Sequence, residues 1–162
     1  MREFFWRLLA EFLSMPGTAT WIIQRAQRTP YVHLDGYMMR WWLFNPYDVE
    51  MSWWRKRLPS IRVHHILRAD TDQHMHDHPW DARTIILRGA YVESYLHRGG
   101  SFTAFRTPGD TRAIRFGEYH HIDRVYYGGV YTLFFTWKYM GTWGFLVDGK
   151  KIPWREYLGV DS

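Results

Sequence analysis

Three histidines alternate with other residues in the stretch from Gln73 to Asp81, which reads Gln-His-Met-His-Asp-His-Pro-Trp-Asp. In an extended strand, alternate side chains lie on the same face, so the spacing predicts that His74, His76 and His78 point in one direction. Neutral imidazoles that converge on one point are ligands for a divalent first-row metal ion, and Asp81 could add an anionic oxygen. The alternative is a polar strand edge or loop that is rich in histidine. Without a metal, however, three stacked imidazoles would repel one another once protonated. The sequence therefore predicts a metal site in this stretch.

Composition excludes several other chemistries. The chain has 162 residues, of which 46% are hydrophobic and 19% aromatic, so it can bury the core of a single folded domain. It has no cysteine, which excludes disulfides, thiolate metal ligands and a cysteine nucleophile and fits a reducing compartment such as the cytoplasm. Its ten tryptophans exceed what a core of this size requires, and we expect some of them to line a cavity or a contact surface.

A small excess of basic residues leaves the kind of partner open. Lys and Arg number 21 against 16 Asp and Glu, and the net charge of +5 permits an anionic partner or simply a solvated basic surface. The triplet Arg55-Lys56-Arg57 beside Trp53 and Trp54 has the composition of a nucleic-acid contact, in which rings stack on bases and cations bind phosphates. A solvated edge strand explains the same segment as well.

An amphipathic helix is predicted at the N-terminus, over residues 1–14. Its apolar residues recur at helical spacing and are Phe4, Phe5, Leu8, Leu9, Phe12 and Leu13. Glu3 and Glu11 interrupt the apolar run, so it fits neither a transmembrane segment nor a signal peptide. We expect this helix to pack on the domain or on a second subunit of a homodimer, with attachment to a membrane interface as the alternative. A second helix is predicted from Ala19 to Arg28, which makes residues 1–30 a helical extension.

From residue 31 to residue 162 the chain reads as short strands separated by turns, and we predict one all-β domain. The strand-like runs are 37–44, 52–58, 61–67, 84–96, 102–106, 112–116 and 130–138. Gly89 weakens the run at 84–96, and Asp148-Gly149 predicts a hairpin turn. A last helical turn is expected after Pro153. Many short strands without βαβ alternation indicate an antiparallel sandwich or barrel.

One motif resembles the metal-binding motif of the cupin superfamily, whose members are small antiparallel jelly-roll barrels. The family motif is a His-x-His pair followed by Glu and then Gly, and His76, His78 and Gly89 fit its spacing. The Glu position falls on Ala82, while Asp81 lies one residue earlier. The resemblance implies His76 and His78 as metal ligands and leaves Asp81, water or nothing as the fourth ligand.

A second motif is similar to the cupin pattern of Gly, Pro-x-Gly, His and Asn. Gly109, Gly117 and His120 fit its spacing, whereas Arg115 and Arg124 stand at the positions of Pro and Asn. The resemblance implies that His120 is the third histidine ligand of the metal ion.

More narrowly, the run from His76 to Glu93, the tripeptide Trp143-Gly144-Phe145 and the segment 153–157 resemble a group of small cupins found in phages and bacteria. This resemblance covers roughly residues 60–158 and implies a fold and a metal site rather than a substrate. It also implies a location in the cytoplasm of a bacterial or phage-infected cell.

A site of three histidines leaves coordination positions open on Fe²⁺, which we favour, or on Mn²⁺, Ni²⁺ or Zn²⁺. Our first hypothesis is a metal-dependent oxygenase acting on a small polar substrate, with an isomerase or epimerase as the next choice. A non-catalytic module that binds a small molecule, and a phage-type accessory protein that binds nucleic acid, are the alternatives.

Other polar residues of the predicted strands are candidates for catalysis and substrate binding. Glu93 and Tyr91 could transfer protons, although structural hydrogen bonding is the commoner role of such residues. An arginine that faces inward would bind a substrate carboxylate or phosphate through two hydrogen bonds. The candidates for substrate binding are Arg88, Arg115, Arg124 and His74. Alternation along a strand should turn His121 away from His120.

Overall fold

Antiparallel strands make up much of the chain in the computed structural model, which describes residues 1–46 and 52–160. The helices are α1 (Arg2–Ser14), α2 (Pro16–Ala26) and α3 (Trp154–Tyr157), with a 3-10 helical turn at Arg55–Arg57. The strands, in chain order, are β1 (Met38–Phe44), β2 (Ser60–Ile66), β3 (Trp80–Arg88), β4 (Tyr91–His97), β5 (Gly100–Arg106), β6 (Thr111–Ile114), β7 (His120–Val125), β8 (Val130–Tyr139), β9 (Gly144–Val147) and β10 (Lys150–Pro153).

The strands form two main sheets and a hairpin. A five-stranded sheet has the order β1-β2-β8-β3-β6, a three-stranded sheet has the order β5-β4-β7, and β9 pairs with β10 around Asp148-Gly149. Every strand pair within residues 1–46 and 52–160 is antiparallel. The prediction of an antiparallel, mostly β fold preceded by helices is confirmed, and so is the hairpin turn. Closure of the sheets into a barrel stays a prediction.

The outer face of the five-stranded sheet is covered by α1 and α2. Alternation along the strands directs Val63, Ile85 and Leu133 to this face, where they form a core with helix residues such as Ala19 and Ile22. Burial of each such aliphatic side chain contributes about 1.5–3 kcal/mol. The predicted packing of the N-terminal helix on the domain is therefore observed within the chain.

The second helix of the extension differs from the predicted Ala19–Arg28 at both ends, since it spans Pro16–Ala26. α2 begins at Pro16 rather than at Ala19, because proline fits the first turn of a helix, where a backbone N–H would have no partner. The division into an extension (residues 1–30) and a domain (residues 31–162) stays a prediction, and the last two residues lie outside the described chain. Over residues 1–46 and 52–160, no helix is both long and apolar enough to cross a membrane.

Two predicted strands are wrong, for local backbone reasons. The run at 84–96 is two strands, because Gly89 adopts φ +79° and turns the chain from the five-stranded to the three-stranded sheet. A Cβ at Gly89 would lie 2.1 Å from the carbonyl oxygen of Gly129, so this crossing requires glycine. The segment 52–58 is not an edge strand, since it contains the 3-10 helical turn and exposes Trp53 and Trp54.

The inner face of the five-stranded sheet is unusually polar. On β2, Arg62 and His64 lie on this inner face with Ile66, while the apolar Ile61 and Val63 pack on the helix side. The inner faces of both sheets line one cavity, to which the three-stranded sheet contributes Tyr91 and other residues. The largest apolar core thus lies between the five-stranded sheet and the helices, whereas polar groups line the cavity on the other face of the sheet.

Replacing Trp6 tests the packing of α1 on the sheet. Its ring lies 5.4 Å from that of Phe135 and 4.8 Å from the guanidinium carbon of Arg83. We expect Trp6→Ala to lower the free energy of unfolding by about 3 kcal/mol, because it leaves a void against the sheet. Phe4, which is 66% exposed, is the control. Phe4→Ala should change stability by less than about 0.5 kcal/mol in urea unfolding, and equal losses for both variants would contradict this packing.

Candidate metal centre

A short backbone bridge brings distant histidines together. The amide of His76 donates to the carbonyl of His120 at 3.0 Å, and the amide of His120 donates to the carbonyl of His76 at 2.9 Å. His76 lies in the loop between β2 and β3, whereas His120 is the first residue of β7. Because His76 also bridges to Phe145 on β9, this loop is held between two strands.

Three histidine side chains converge at this bridge. One ligand nitrogen from each of His76, His78 and His120 lies within 4.8 Å of the corresponding nitrogens of the other two. The Nε2 atoms of His78 and His120 are 2.8 Å apart. The three side chains could therefore hold one divalent metal ion.

Carboxylates lie behind two of the histidines. Nδ1 of His120 is 3.5 Å from a carboxylate oxygen of Glu93, and Nδ1 of His76 is 3.8 Å from one of Asp70. Metal-binding histidines commonly face a carboxylate with the nitrogen that does not bind the metal, which fixes the ring orientation. This arrangement leaves the Nε2 atoms of both rings for a metal ion.

Both carboxylates are anchored in turn. Asp70 accepts a hydrogen bond from the Tyr37 hydroxyl and, at 2.8 Å, from the backbone amide of Ile122. Glu93 is fully buried and accepts from Arg106 at 2.8 Å and from Arg112 at 3.4 Å. Burial alone would raise the pKa of Glu93, but the His120 ring and the two guanidinium groups outweigh it and hold the pKa at about 2. Glu93 is therefore ionised at neutral pH.

A buried aspartate fixes the loop between the two histidines. Asp77 is fully buried, and its carboxylate accepts hydrogen bonds from the Gly144 amide at 2.7 Å and from the Lys151 ammonium at 2.5 Å. Its own amide donates to the Gly144 carbonyl at 3.0 Å. Asp77 thus ties the His76–His78 segment to Gly144 and Lys151 of the β9–β10 hairpin.

Burial keeps the histidines in their neutral, metal-binding form. Desolvation lowers the pKa of His76 to about 3, and the nearby His120 adds to the effect. Desolvation also lowers the pKa of His78 well below its usual value, with His120 and His76 as further causes. Since protons compete with a metal ion for imidazole nitrogens, both shifts favour metal binding at neutral and mildly acidic pH.

The three histidines border a cavity of about 270 Å³. Aromatic side chains form much of its wall, including Trp80, Phe134 and Trp143. The ring of Trp143 stacks on Trp154 at 5.6 Å, which supports that side of the cavity from behind. A metal ion at the histidines would therefore lie beside a small, largely apolar cavity with space for a ligand.

The histidine-rich stretch is not a strand, and this separates His74 from the others. Only His76 makes strand-like bridges, and Nδ1 of His74 instead bonds the hydroxyl of Tyr157 at 3.0 Å. Asp81 also lies apart from the three histidines. Its carboxylate accepts from the amide of Phe116 at 3.0 Å and from Arg115 at 3.3 Å. The structure therefore does not bring Asp81 to the grouped nitrogens.

The other candidate residues divide between the cavity and the surface. Tyr91 lines the cavity, and burial followed by the charge of Glu93 raises its pKa, so the phenol keeps its proton. Glu93 stands behind His120 rather than in the cavity wall. Arg88 is exposed and bonds Thr20 of α2 at 2.7 Å, while Arg115 and Arg124 are also exposed. The predicted arginines thus lie outside the cavity.

Residues that the sequence did not single out carry much of the site. Asp70 belongs to a run that reads as a turn, and nothing in its spacing indicates contact with His76. The alternation of β2 contained a usable signal, because Ile61 and Val63 mark one face and so place Arg62 and His64 on the other.

His121 is not part of the cluster of three histidine nitrogens. Its Nδ1 atom bonds Asp123 and its Nε2 atom bonds the carbonyl of Asp72, each at 3.0 Å. These partners agree with the prediction that His121 points away from His120.

Solved structures similar to this chain are cupin-fold proteins. Oxalate decarboxylase of Bacillus subtilis, which has Mn(II) centres, has a TM-score of 0.55 at 12% identity, covering 82% of this chain and 32% of its own. Hydroxypropylphosphonic acid epoxidase of S. wedmorenis has a TM-score of 0.51 at 12% identity, with 69% and 56% covered. A mannose-6-phosphate isomerase-like protein of Ralstonia eutropha has a TM-score of 0.51 at 14% identity, with 66% and 90% covered.

The likeness supports the cupin fold and the jelly-roll type of architecture that the two motifs implied. At such low identity it shows the fold alone, and the chain spans only about a third of the length of oxalate decarboxylase. No protein-family profile and no curated protein sequence matches the chain. The chemistry of the site must therefore be argued from its own residues.

Replacing Glu93 tests its role in orienting His120. We expect Glu93→Gln to weaken metal affinity about 10–100-fold, because the charge behind the ring is lost. Competition with a chromogenic chelator measures the affinity. Asp123→Asn is the matched control, since Asp123 contacts His121 instead.

Glu93 also pairs with two arginines, so its replacement will reduce stability, and affinities are compared well below the unfolding midpoint. Asp70→Asn provides a second variant, which acts through His76 and should weaken affinity in the same direction. Unchanged affinity in both Glu93→Gln and Asp70→Asn would contradict the proposed roles of these carboxylates.

The buried histidines predict an acid-sensitive metal-free protein. Burial, and then the charges of Arg62 and Arg40, lower the pKa of His64, as burial does for His76 and His78. Well above pH 6.5 these histidines are neutral in both the folded and the unfolded chain. As the pH falls further, the unfolded chain takes up protons that the folded chain does not. The free energy of unfolding should therefore fall, by up to about 1.4 kcal/mol per pH unit for each histidine.

Urea unfolding of the metal-free protein between pH 8 and pH 5 measures this dependence. The variant His64→Gln should show a shallower slope, by up to about 1.4 kcal/mol per pH unit. The control is His97→Gln, because the His97 side chain is 52% exposed. A slope identical in His64→Gln and the wild type would show that His64 does not resist protonation.

Proposed function

We propose that this protein is a metal-dependent enzyme of cupin fold that acts on a small polar substrate. His76, His78 and His120 would hold one divalent metal ion, and the substrate would bind beside it in the cavity. The observation that carries this proposal is the convergence of three imidazole nitrogens, all within 4.8 Å of one another, at the wall of a cavity of about 270 Å³.

We favour Fe²⁺ as the ion, with Mn²⁺, Ni²⁺ or Zn²⁺ as the alternatives. Three protein ligands would leave coordination positions open for substrate and for water or O₂. The Mn(II) centres of oxalate decarboxylase, a protein of similar fold, add support for a redox-capable ion. Asp81 is not proposed as a ligand, because Arg115 and the Phe116 amide already engage its carboxylate.

The residues of this chain position the ligands and shape the space beside them. Asp70 and Glu93 orient the rings of His76 and His120, and Asp77 holds the loop on which His76 and His78 lie. Aromatic side chains form much of the cavity wall. When bound, the ion supplies either electron transfer with O₂ or Lewis-acid polarisation of a substrate carbonyl.

A proton donor for either reaction is at hand in Tyr91. It lines the cavity, and its raised pKa keeps the phenolic proton in place at neutral pH. We favour an oxygenase, because the site suits a redox-active ion with several open positions. An isomerase or epimerase would use the same histidines with Tyr91 as the acid and would operate without O₂.

Nitric oxide, used as an O₂ substitute, tests whether the site binds iron with open positions. Protein loaded anaerobically with Fe²⁺ should give the electron paramagnetic resonance signal of an iron–nitrosyl complex, and His78→Ala should lose it. His74→Ala is the control and should retain the signal, because His74 bonds Tyr157 away from the cavity. Bound iron that gives no nitrosyl signal would contradict the oxygenase, and failure to bind any metal would contradict the enzyme proposal as a whole.

A further inference from the structure

Two nitrogen-bearing side chains of β2 form part of the cavity wall. Arg62 is 3% exposed and His64 is 8% exposed, and both line the cavity. Alternation along β2 directs them to the same face, which is the inner face of the five-stranded sheet. We call this pair, Arg62 and His64, the β2 wall.

Aromatic rings surround the cation of the β2 wall. The guanidinium carbon of Arg62 lies 4.8 Å from the centre of the Trp80 ring and 5.6 Å from that of Phe134. One of its nitrogens donates to the Thr136 hydroxyl at 3.4 Å. In surroundings of such low polarity, the attraction between this cation and an anionic ligand is far stronger than it would be in water.

His64 supplies a second polar group with unused capacity. Among the residues that the structure describes, its buried Nε2 atom has no hydrogen-bond partner, which is uncommon for a buried nitrogen in a native protein. Burial keeps the imidazole neutral, so one of its nitrogens carries an N–H group that can donate. An oxygen atom of a bound ligand would satisfy this group.

The β2 wall is adjacent to the proposed metal ligands. The ring of Phe134 contacts both sides, with its centre 5.1 Å from that of His64 and 5.5 Å from that of His78. A molecule held by the wall would therefore lie next to the metal ion.

The balance of charge in the cavity also favours an anion. Three neutral imidazoles leave both charges of a divalent ion uncompensated, and Ala82 stands where the cupin motif has a carboxylate ligand. Among the residues that the structure describes, the acidic groups that line the cavity are Asp70, Asp72 and Asp77. Asp77 is paired with Lys151, and Asp70 accepts hydrogen bonds from Tyr37 and a backbone amide. A divalent ion held by neutral imidazoles would be a large local positive charge, which an anionic ligand beside it could balance.

We infer that the substrate is a small organic anion whose carboxylate or phosphoryl group lies between Arg62 and His64 while another part of it reaches the metal ion. This inference rests on the proposed metal site and adds the chemical class of its substrate. The cavity of about 270 Å³ lies near the lower end of the range for small-molecule sites, roughly 300–1,000 Å³. A short-chain acid or a small phosphorylated compound fits such a space.

Calorimetric titration with defined anions tests the inference. The probes are oxalate, malonate, succinate and inorganic phosphate, each titrated into the metal-free protein and into the protein loaded with Mn²⁺. The variants are Arg62→Gln, Arg62→Lys and His64→Gln. The matched control is Arg88→Gln, which removes an exposed arginine that bonds Thr20 outside the cavity.

We expect at least one probe to bind the Mn²⁺-loaded wild type. Its affinity should be about tenfold lower, or lower still, in Arg62→Gln and His64→Gln, and it should be unchanged in Arg88→Gln. Arg62→Lys should retain part of the affinity, since it keeps the charge but loses the planar fork. Preference for a dicarboxylate or for phosphate would identify which anionic group the wall binds. Because Arg62 is buried, His64→Gln provides the test should Arg62→Gln fail to fold.

Two results would overturn the inference. Either no probe binds at millimolar concentration, or both His64→Gln and Arg62→Lys bind the probe as strongly as the wild type does. Metal content measured on the same samples separates this failure from that of the proposed function. Full metal uptake without anion binding at the β2 wall contradicts only the inference. Absence of metal uptake contradicts the proposed function. In that case, anion binding by the metal-free protein that is lost in the Arg62 and His64 variants would still support the β2 wall as an anion-binding site.

Discussion

The paired backbone hydrogen bonds between His76 and His120 are the contact on which the site depends. They join the loop before β3 to the start of β7, two segments that are far apart in the sequence. Without this bridge, His78 and His120 could not approach within 2.8 Å, and Asp70 would not stand behind His76. The cluster of three histidines is therefore a consequence of how this loop, β7 and the β9–β10 hairpin meet, rather than of the histidine-rich stretch alone.

Two buried carboxylates near this bridge, those of Asp77 and Glu93, are paired with cationic side chains. Asp77 is matched by Lys151, and Glu93 by Arg106 and Arg112. Removing one partner of such a pair leaves an uncompensated buried charge, which is strongly destabilising, so these pairs are costly to alter once formed. They keep the ligand rings in fixed orientations, and this rigidity is what a metal site requires of the groups behind its ligands.

Sequence patterns predicted the parts of the site that depend on local spacing. The His-x-His pair grouped His76 with His78, and the family motif added His120 at the start of β7, as the convergence of their nitrogens shows. The position of His74 could not be predicted from alternation, because the stretch is an irregular loop rather than a strand. The contact between Asp81 and Arg115 was likewise invisible, since it depends on how β3 and the loop after β6 meet.

The inner and outer faces of the main sheet show why the rest could not be predicted. Ile61 and Val63 correctly mark an apolar face of β2, and in a simple sandwich that face would be the interior. Here α1 and α2 cover it, so the polar face with Arg62 and His64 turns to the cavity instead. Periodicity identifies which residues share a face, but only the position of the helices determines which face encloses the site.

Metal stoichiometry is the most direct test of the proposed centre. Untagged protein, purified without chelator and reconstituted with Fe²⁺ or Mn²⁺, should contain about one equivalent by plasma mass spectrometry. His76→Ala, His78→Ala and His120→Ala should each lose it, whereas His74→Ala and His121→Ala should retain it. A wild-type protein that stays metal-free after reconstitution, or a set of five variants that bind metal equally, would contradict a metal centre at these histidines.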